Sequence, residues 1–181
     1  REFVAGNGEF AINIALIENG APVLGIVLAP ARGDVCYATR DAGAWRTTWP
    51  HQTNTAPEAL RTANVGSPVR VAVSRSHHPA ELSSMLEGVG AHQLYALGSS
   101  LKFSSIANAE VDLYPRLSSS SSEWDIAAGQ CIVEQAGGVV LDRHGKPLRY
   151  NQSAELLVPA FIAAGDANID WLTRLNWRVD P

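Results

Sequence analysis

Asp125 is the residue with the most chemical promise. It stands in the stretch Trp124-Asp125-Ile126-Ala127-Ala128-Gly129-Gln130-Cys131-Ile132-Val133-Glu134-Gln135-Ala136-Gly137-Gly138, which reads as one helix. Ser122 is a good N-cap, and Asp125 supplies an acidic, capping-box-like partner. Gly137 and Gly138 suit a left-handed C-cap. Glu123, Gln130 and Glu134 mark a polar stripe, and Ala128, Cys131, Ile132 and Ala136 the buried one. Asp125 stacks over Ala128, Gly129 and Ile132, so it leans towards the buried side. A carboxylate there needs a positive partner, because burying an unpaired charge is costly. Helix amides contribute but do not suffice. A metal ion is one answer, and a plain capping aspartate is the other.

Three other clusters carry charge or hydrogen-bonding capacity. Gly98-Ser99-Ser100-Leu101-Lys102 lies where a strand gives way to a helix. Helix N-termini attract anions, and Lys102 adds a cation that the dipole disfavours there unless something negative is close. A phosphate satisfies both; the alternative is a serine-capped helix with Lys102 in water. Ser74-Arg75-Ser76-His77-His78 follows a strand, where ligands of α/β sheets gather. His77 is a candidate to stack on a base or bond a phosphate, against a plain polar loop. Tyr114-Pro115-Arg116 closes another strand, since proline belongs at strand ends or edges. Arg116 either grips a phosphate with its planar fork or sits on the surface. The run Ser118 to Ser122 reads as a flexible loop. The spacings match no zinc site, nucleophile elbow or glycine-rich phosphate loop.

These residues need elements to hold them. Phe10 to Ile17 reads as a strand buried on both faces, and Val23 to Ala29 as its hairpin partner across Glu18-Asn19-Gly20-Ala21-Pro22. Val35 to Ala38 and Ala44 to Thr47 form a second pair, and 48–68 a long connector. Strands are then expected at Arg70–Val73, Gln93–Leu97, Val111–Tyr114, Val139–Leu141 and Phe161–Ala164. Helices are expected at Pro79–Glu87, Ser100–Ala109, over the Asp125 segment and at Asn168–Asn176. Alternating strands and helices argue for an α/β layered domain.

The chain has 181 residues, 46% hydrophobic and 18% charged, which is ample for a packed core. A net charge of -4 speaks against nonspecific binding to nucleic-acid polymers or anionic membranes. No apolar run reaches membrane-spanning length, so no transmembrane segment is expected. Cys36 and Cys131 are far apart, and Cys131 falls on the apolar helix face, as a buried free thiol would. A cytoplasmic location fits, with peripheral association at the inner membrane as a variant. Arg1 is not a methionine, and the first residues look like a loop entered mid-protein.

In their order, Ser74-Arg75-Ser76-His77, Gly98-Ser99-Ser100-Leu101-Lys102, Tyr114-Pro115-Arg116 and the Trp124-Asp125-Ile126-Ala127-Ala128-Gly129 helix resemble the inositol monophosphatase superfamily of metal-dependent, lithium-sensitive phosphatases. The similarity covers essentially the whole chain. The Lys102 and Arg116 contexts are most similar to its bacterial 3'(2'),5'-bisphosphate nucleotidase branch. The resemblance implies a layered αβαβα sandwich of the sugar-phosphatase type with its N-terminal part missing. Residues 1–60 would complete the first lobe, and 65–181 would form the second. It implies that Asp125 is a Mg²⁺ ligand that also faces the substrate, that Ser99, Lys102 and Arg116 hold phosphate, and that His77 contacts the nucleotide. The family's other metal ligands come from an upstream Glu and an Asp-Pro-Leu-Asp-Gly-Thr motif that continues into Arg/Lys-Glu-Phe. This chain begins Arg1-Glu2-Phe3, so it would start one residue after that motif and contain no catalytic residue of its own.

The expected function is therefore Mg²⁺-dependent hydrolysis of a small nucleotide bisphosphate, adenosine 3',5'-bisphosphate, a by-product of sulfate activation and transfer. The alternatives are a phosphatase of the inositol-1-monophosphatase type and a non-catalytic nucleotide-binding fragment.

Overall fold

A computed structural model describes residues 2–50, 56–75 and 80–177. After a short helix α1 (Glu2–Ala5), five strands run as an antiparallel meander: β1 (Ile12–Glu18), β2 (Ala21–Ala29), β3 (Asp34–Thr39), β4 (Gly43–Thr48) and β5 (Glu58–Leu60). Tight turns make this possible. Asn19 and Gly20, at φ 51° and 75°, supply the left-handed backbone that joins β1 to β2. The first two hairpins match the sequence expectation. The connector 48–68 differs, because Glu58–Leu60 adds to the sheet edge and buries Leu60.

The second sheet collects β6 (Val69–Ser74), β7 (His92–Leu97), β8 (Leu113–Arg116), β10 (Val139–Asp142) and β12 (Phe161–Ala164), in the order β10-β12-β8-β6-β7. Strand β6 runs parallel to β7 and β8, and β12 runs antiparallel to β8 and β10. Two helices, α3 (Leu101–Ala107) and α4 (Glu123–Gln135), fill the space between the sheets. Helices α2 (Ala80–Glu87) and α5 (Trp171–Arg174) cover the far face of the second sheet around Val71, Leu86, Leu113 and Trp171. A small ladder of β9 (Ser121–Ser122) with β11 (Leu157–Val158) closes the α4 end.

The layers are therefore sheet, helices, sheet, helices. They form four of the five layers of the expected αβαβα sandwich, and of an outer layer on the first sheet the described residues hold only α1 as helix. Hence β1 is not buried on both faces as its composition predicted. It is the sheet edge, with Ile12, Ile14 and Leu16 exposed while Ala15 and Ile17 pack inward.

Four local expectations need correction. The polar stripe of α4 does not exist, because both sheets press on this helix. Gln130 is 1% exposed, and Glu123 is also buried. The serine run is not all loop, since its last two residues pair with Leu157 and Val158. The strand expected at Val111–Tyr114 sits two residues later, so Pro115 and Arg116 lie within β8 and not beyond it. Pro115 is tolerated there because β8 meets β6 where Leu113 faces Val71, ahead of the proline. The terminal helix shrinks to α5, whose N-cap Asp170 accepts from the Thr173 amide at 3.1 Å.

Candidate active site

A cleft of about 570 Å³ opens where the C-terminal ends of β6 and β8 meet the starts of α3 and α4. Ser99, Lys102, Arg116 and Asp125 all line it, together with Ser74, Ser100, Tyr114 and Ser121. The edge-to-face pair Phe3 and Phe10 forms an apolar wall, with ring centroids 5.1 Å apart. Four of the five residues selected from sequence thus converge. The fifth, His77, lies outside the described residues. A smaller cavity of about 240 Å³ continues over the strand ends and shares Ser74, Tyr114 and Arg116 with the cleft.

Asp125 is exposed to the cleft, where the spacing predicted a leaning towards the core. In the first turn of α4, Glu123 takes the buried direction instead, and both its carboxylate oxygens accept from the Asn151 amide at 2.9 and 3.0 Å. Ser122 occupies the N-cap in an extended conformation but makes no side-chain cap bond, so the capping-box expectation is not met. Partial desolvation raises the Asp125 pKa above the usual carboxylate value, and the Arg116 charge works in the opposite direction.

Lys102 does not sit in water. It is 5% exposed, and its ammonium donates to the carbonyls of Leu97 at 3.1 Å and Ser99 at 2.6 Å. It also lies 5.0 Å from the centroid of the Tyr114 ring. These contacts lock a positive charge into the cleft wall. Ser99 is held at φ 50°, an uncommon backbone state for a residue other than glycine. Ser100 caps nothing with its side chain, so the alternative of a serine-capped helix is not met there, and it donates to Asn13 Oδ1 at 2.6 Å. Arg116 donates from Nε to Ser121 Oγ at 3.1 Å, and both residues line the cleft. Burial pushes the Tyr114 phenol up to about 12, so it remains a neutral hydroxyl near neutral pH.

The described residues supply one acidic metal donor here. Asp125 is the only carboxylate among those lining the cleft, and they contain no group of three or more His, Cys, Asp or Glu side chains fit to hold a metal ion. A hard oxygen donor beside two cations is the kind of group that divalent cations such as Mg²⁺ accept, commonly through one or two carboxylates plus phosphate. Asp125 therefore fits as one ligand.

Glu9 went unselected in the sequence, yet it contacts the residue just before Ser99 of the cleft wall. Its carboxylate accepts from Arg75 and from the Gly98 amide. The only local signal was a glutamate in the glycine-rich turn Gly6-Asn7-Gly8, because its partners are 66 and 89 residues away.

The model of the inositol monophosphatase family matches residues 1–177. The chain belongs to the inositol monophosphatase family. This family is generally metal-dependent. Among relatives, the chain is 40% identical over 161 residues to the 3'(2'),5'-bisphosphate nucleotidase CysQ of Escherichia coli strain K12, covering 89% of this chain and 62% of that protein. It is 41% identical to the CysQ of Salmonella typhimurium over the same shares of both chains. The chain thus spans less than two thirds of the length of the curated relatives it matches. The crystal structure of CysQ from Bacteroides thetaiotaomicron, a bacterial member of the inositol monophosphatase family, superposes with a TM-score of 0.79 at 32% identity, covering 91% of this chain and 65% of that one. The Thermotoga maritima IMPase superposes with a TM-score of 0.73 at 26% identity, covering 97% and 64%. In this inositol monophosphatase fold, no helix among the described residues is long and apolar enough to cross a membrane.

Proposed function

We propose that this chain belongs to a magnesium-dependent 3'(2'),5'-bisphosphate nucleotidase that hydrolyses adenosine 3',5'-bisphosphate. The observation carrying this reading is the placement of two cations, Lys102 and Arg116, and one carboxylate, Asp125, on the walls of one cleft. A metal held by a carboxylate can activate attack on one phosphate, and fixed positive charge can hold a second. The similarity to CysQ proteins supports the nucleotide over an inositol phosphate.

Asp125 would hold one Mg²⁺, which when bound supplies an activated water and neutralises charge on the phosphate. Lys102, fixed by two carbonyls, presents a charge that needs little reordering when substrate arrives. Arg116 offers a planar fork suited to two phosphate oxygens. Ser99 and His77 are proposed as further contacts, to the phosphate and to the nucleotide. We divide the chain into a first lobe over 1–60 and a second over 65–181, with the substrate held by the second. Cys36 and Cys131 are free and buried, which fits a reducing compartment such as the cytoplasm.

The test is a phosphate-release assay on the intact protein with Mg²⁺. Adenosine 3',5'-bisphosphate should be hydrolysed, and Asp125→Asn should cost about a hundredfold or more in kcat, since a metal contact is worth several kcal/mol in the transition state. Equal or better turnover of inositol 1-phosphate would favour the monophosphatase alternative. Nucleotide binding with no turnover at all would favour the non-catalytic one.

A further inference from the structure

Glu9 takes no part in the reaction proposed above, yet it is built like a functional carboxylate. It is 8% exposed, in the loop that leads from α1 into β1. Oε1 accepts from Nη2 of Arg75 at 2.6 Å, and Oε2 accepts from Nε at 3.1 Å, a two-pronged pair. Oε2 also accepts from the Gly98 amide at 2.8 Å. The same Arg75 Nη2 donates to the Ala96 carbonyl at 3.0 Å. A single carboxylate therefore joins the approach to the first sheet with the ends of β6 and β7 in the second.

Gly98 is shaped to this contact. A Cβ at that position would stand 2.8 Å from Glu9 Cβ and 2.9 Å from Oε2, closer than side chains tolerate. A second tether lies two residues on, where Ser100 Oγ donates to Asn13 of β1. Between the two tethers sits Ser99, which lines the cleft and whose carbonyl fixes the Lys102 ammonium. The turn that carries Ser99 and leads into Lys102 is thus gripped at either end by the first sheet and its lead-in.

We infer that Glu9 is a positioning residue: by clasping Arg75 and the Gly98 amide together, it holds the Gly98-Ser99-Ser100 turn, and through it Lys102, in the orientation that receives the non-reacting phosphate of a bisphosphate. The inference rests on the nucleotidase reading for the identity of the ligand, but not for the clasp itself. Two acceptor oxygens serving separate donors are needed, so shape alone does not replace the carboxylate. Glutamine keeps an oxygen for Gly98 but loses the charge pair with Arg75.

The experiment has two arms on the intact protein. In the first, hydrogen exchange followed by mass spectrometry compares wild type with Glu9→Ala, without substrate. Exchange across 98–102 should accelerate about tenfold or more while α4 is unaffected, as expected when a charge-assisted bond to a buried amide is lost. Unchanged exchange at 98–102 overturns the inference. In the second arm, steady-state kinetics use adenosine 3',5'-bisphosphate and adenosine 3'-monophosphate. Glu9→Ala and Gly98→Ala should each raise KM for the bisphosphate about tenfold, with kcat and the monophosphate KM within about twofold, and Glu9→Gln should recover part of the loss. An equal rise in KM for both substrates, or a loss confined to kcat, overturns the positioning role. If wild type hydrolyses neither nucleotide, the nucleotidase reading falls, and the exchange arm still decides the clasp.

Discussion

The Asp112 carboxylate, 2% exposed, accepts from Arg70 three times: from Nη2 at 2.6 Å, from Nε at 3.1 Å and from the backbone amide at 2.8 Å. The pair fastens the start of β6 to the residue just before β8, its parallel neighbour. The two partners are unequal, because the Arg70 side chain retains about a third of its exposure. Arg70→Ala strands a buried charge and should cost about 3–5 kcal/mol in urea denaturation. Asp112→Asn leaves an arginine that water can reach and should cost less, about 1–3 kcal/mol. The reverse order would show that Arg70 is the group that cannot tolerate isolation.

Gly129 lets α4 and α3 approach closely. A Cβ there would collide with the Phe103 ring, which is itself fully buried against Tyr114 and Phe161. Gly129→Ala should therefore destabilise by about 1–3 kcal/mol through overpacking, despite the better helix propensity of alanine. A thermal melt measures it, and a higher midpoint would contradict the packing.

Glu9 makes stability depend on acid. The Arg75 bond, then the Gly98 amide and the charges of Arg75 and Arg32, hold its pKa below the usual carboxylate value, outweighing desolvation. A lowered folded pKa means that the contribution is fully present above the unfolded value of about 4.3, and is lost as pH falls through the folded one. Melting temperature should drop between neutral pH and pH values below about 4, more steeply for wild type than for Glu9→Gln. Parallel curves would show that Glu9 is not linked to folding.

Arg116 should discriminate between phosphates by geometry as well as charge. Arg116→Ala should raise KM for adenosine 3',5'-bisphosphate by about tenfold or more, as expected for a lost charged hydrogen bond. Arg116→Lys should restore only part of it, because a point charge replaces a fork. Full recovery with lysine would mean that only the field matters.

Four of the five strands of the first sheet were legible because Asn19-Gly20 and Asp41-Ala42-Gly43 punctuate them, and those turn residues carry their own backbone preferences, whereas β5 lay unseen in the polar connector. Asp125, Lys102 and Arg116 were legible as charges placed where strands and helices meet. Gln130 was not, since helical periodicity presumes a wet face along the whole helix and α4 is exposed only at Trp124 and Asp125. Its side chain instead donates to Glu134 and accepts from the buried Tyr150 hydroxyl, a contact set by tertiary packing. The Ser121–Ser122 ladder was hidden for a related reason, because its partner Leu157–Val158 is remote in sequence. Glu9 shows the same limit at the site, since a clasp between two sheets leaves no periodic trace in either segment.

The edge position of β1 bears on how the 181-residue chain behaves when produced alone. Among the described residues, one flank of that strand has no pairing strand, and Ile12, Ile14 and Leu16 project oily side chains beside it. Such a lip templates cross-β stacking between molecules. Turbidity should rise steeply with concentration, and a lysine in place of Ile14 should keep the preparation clear.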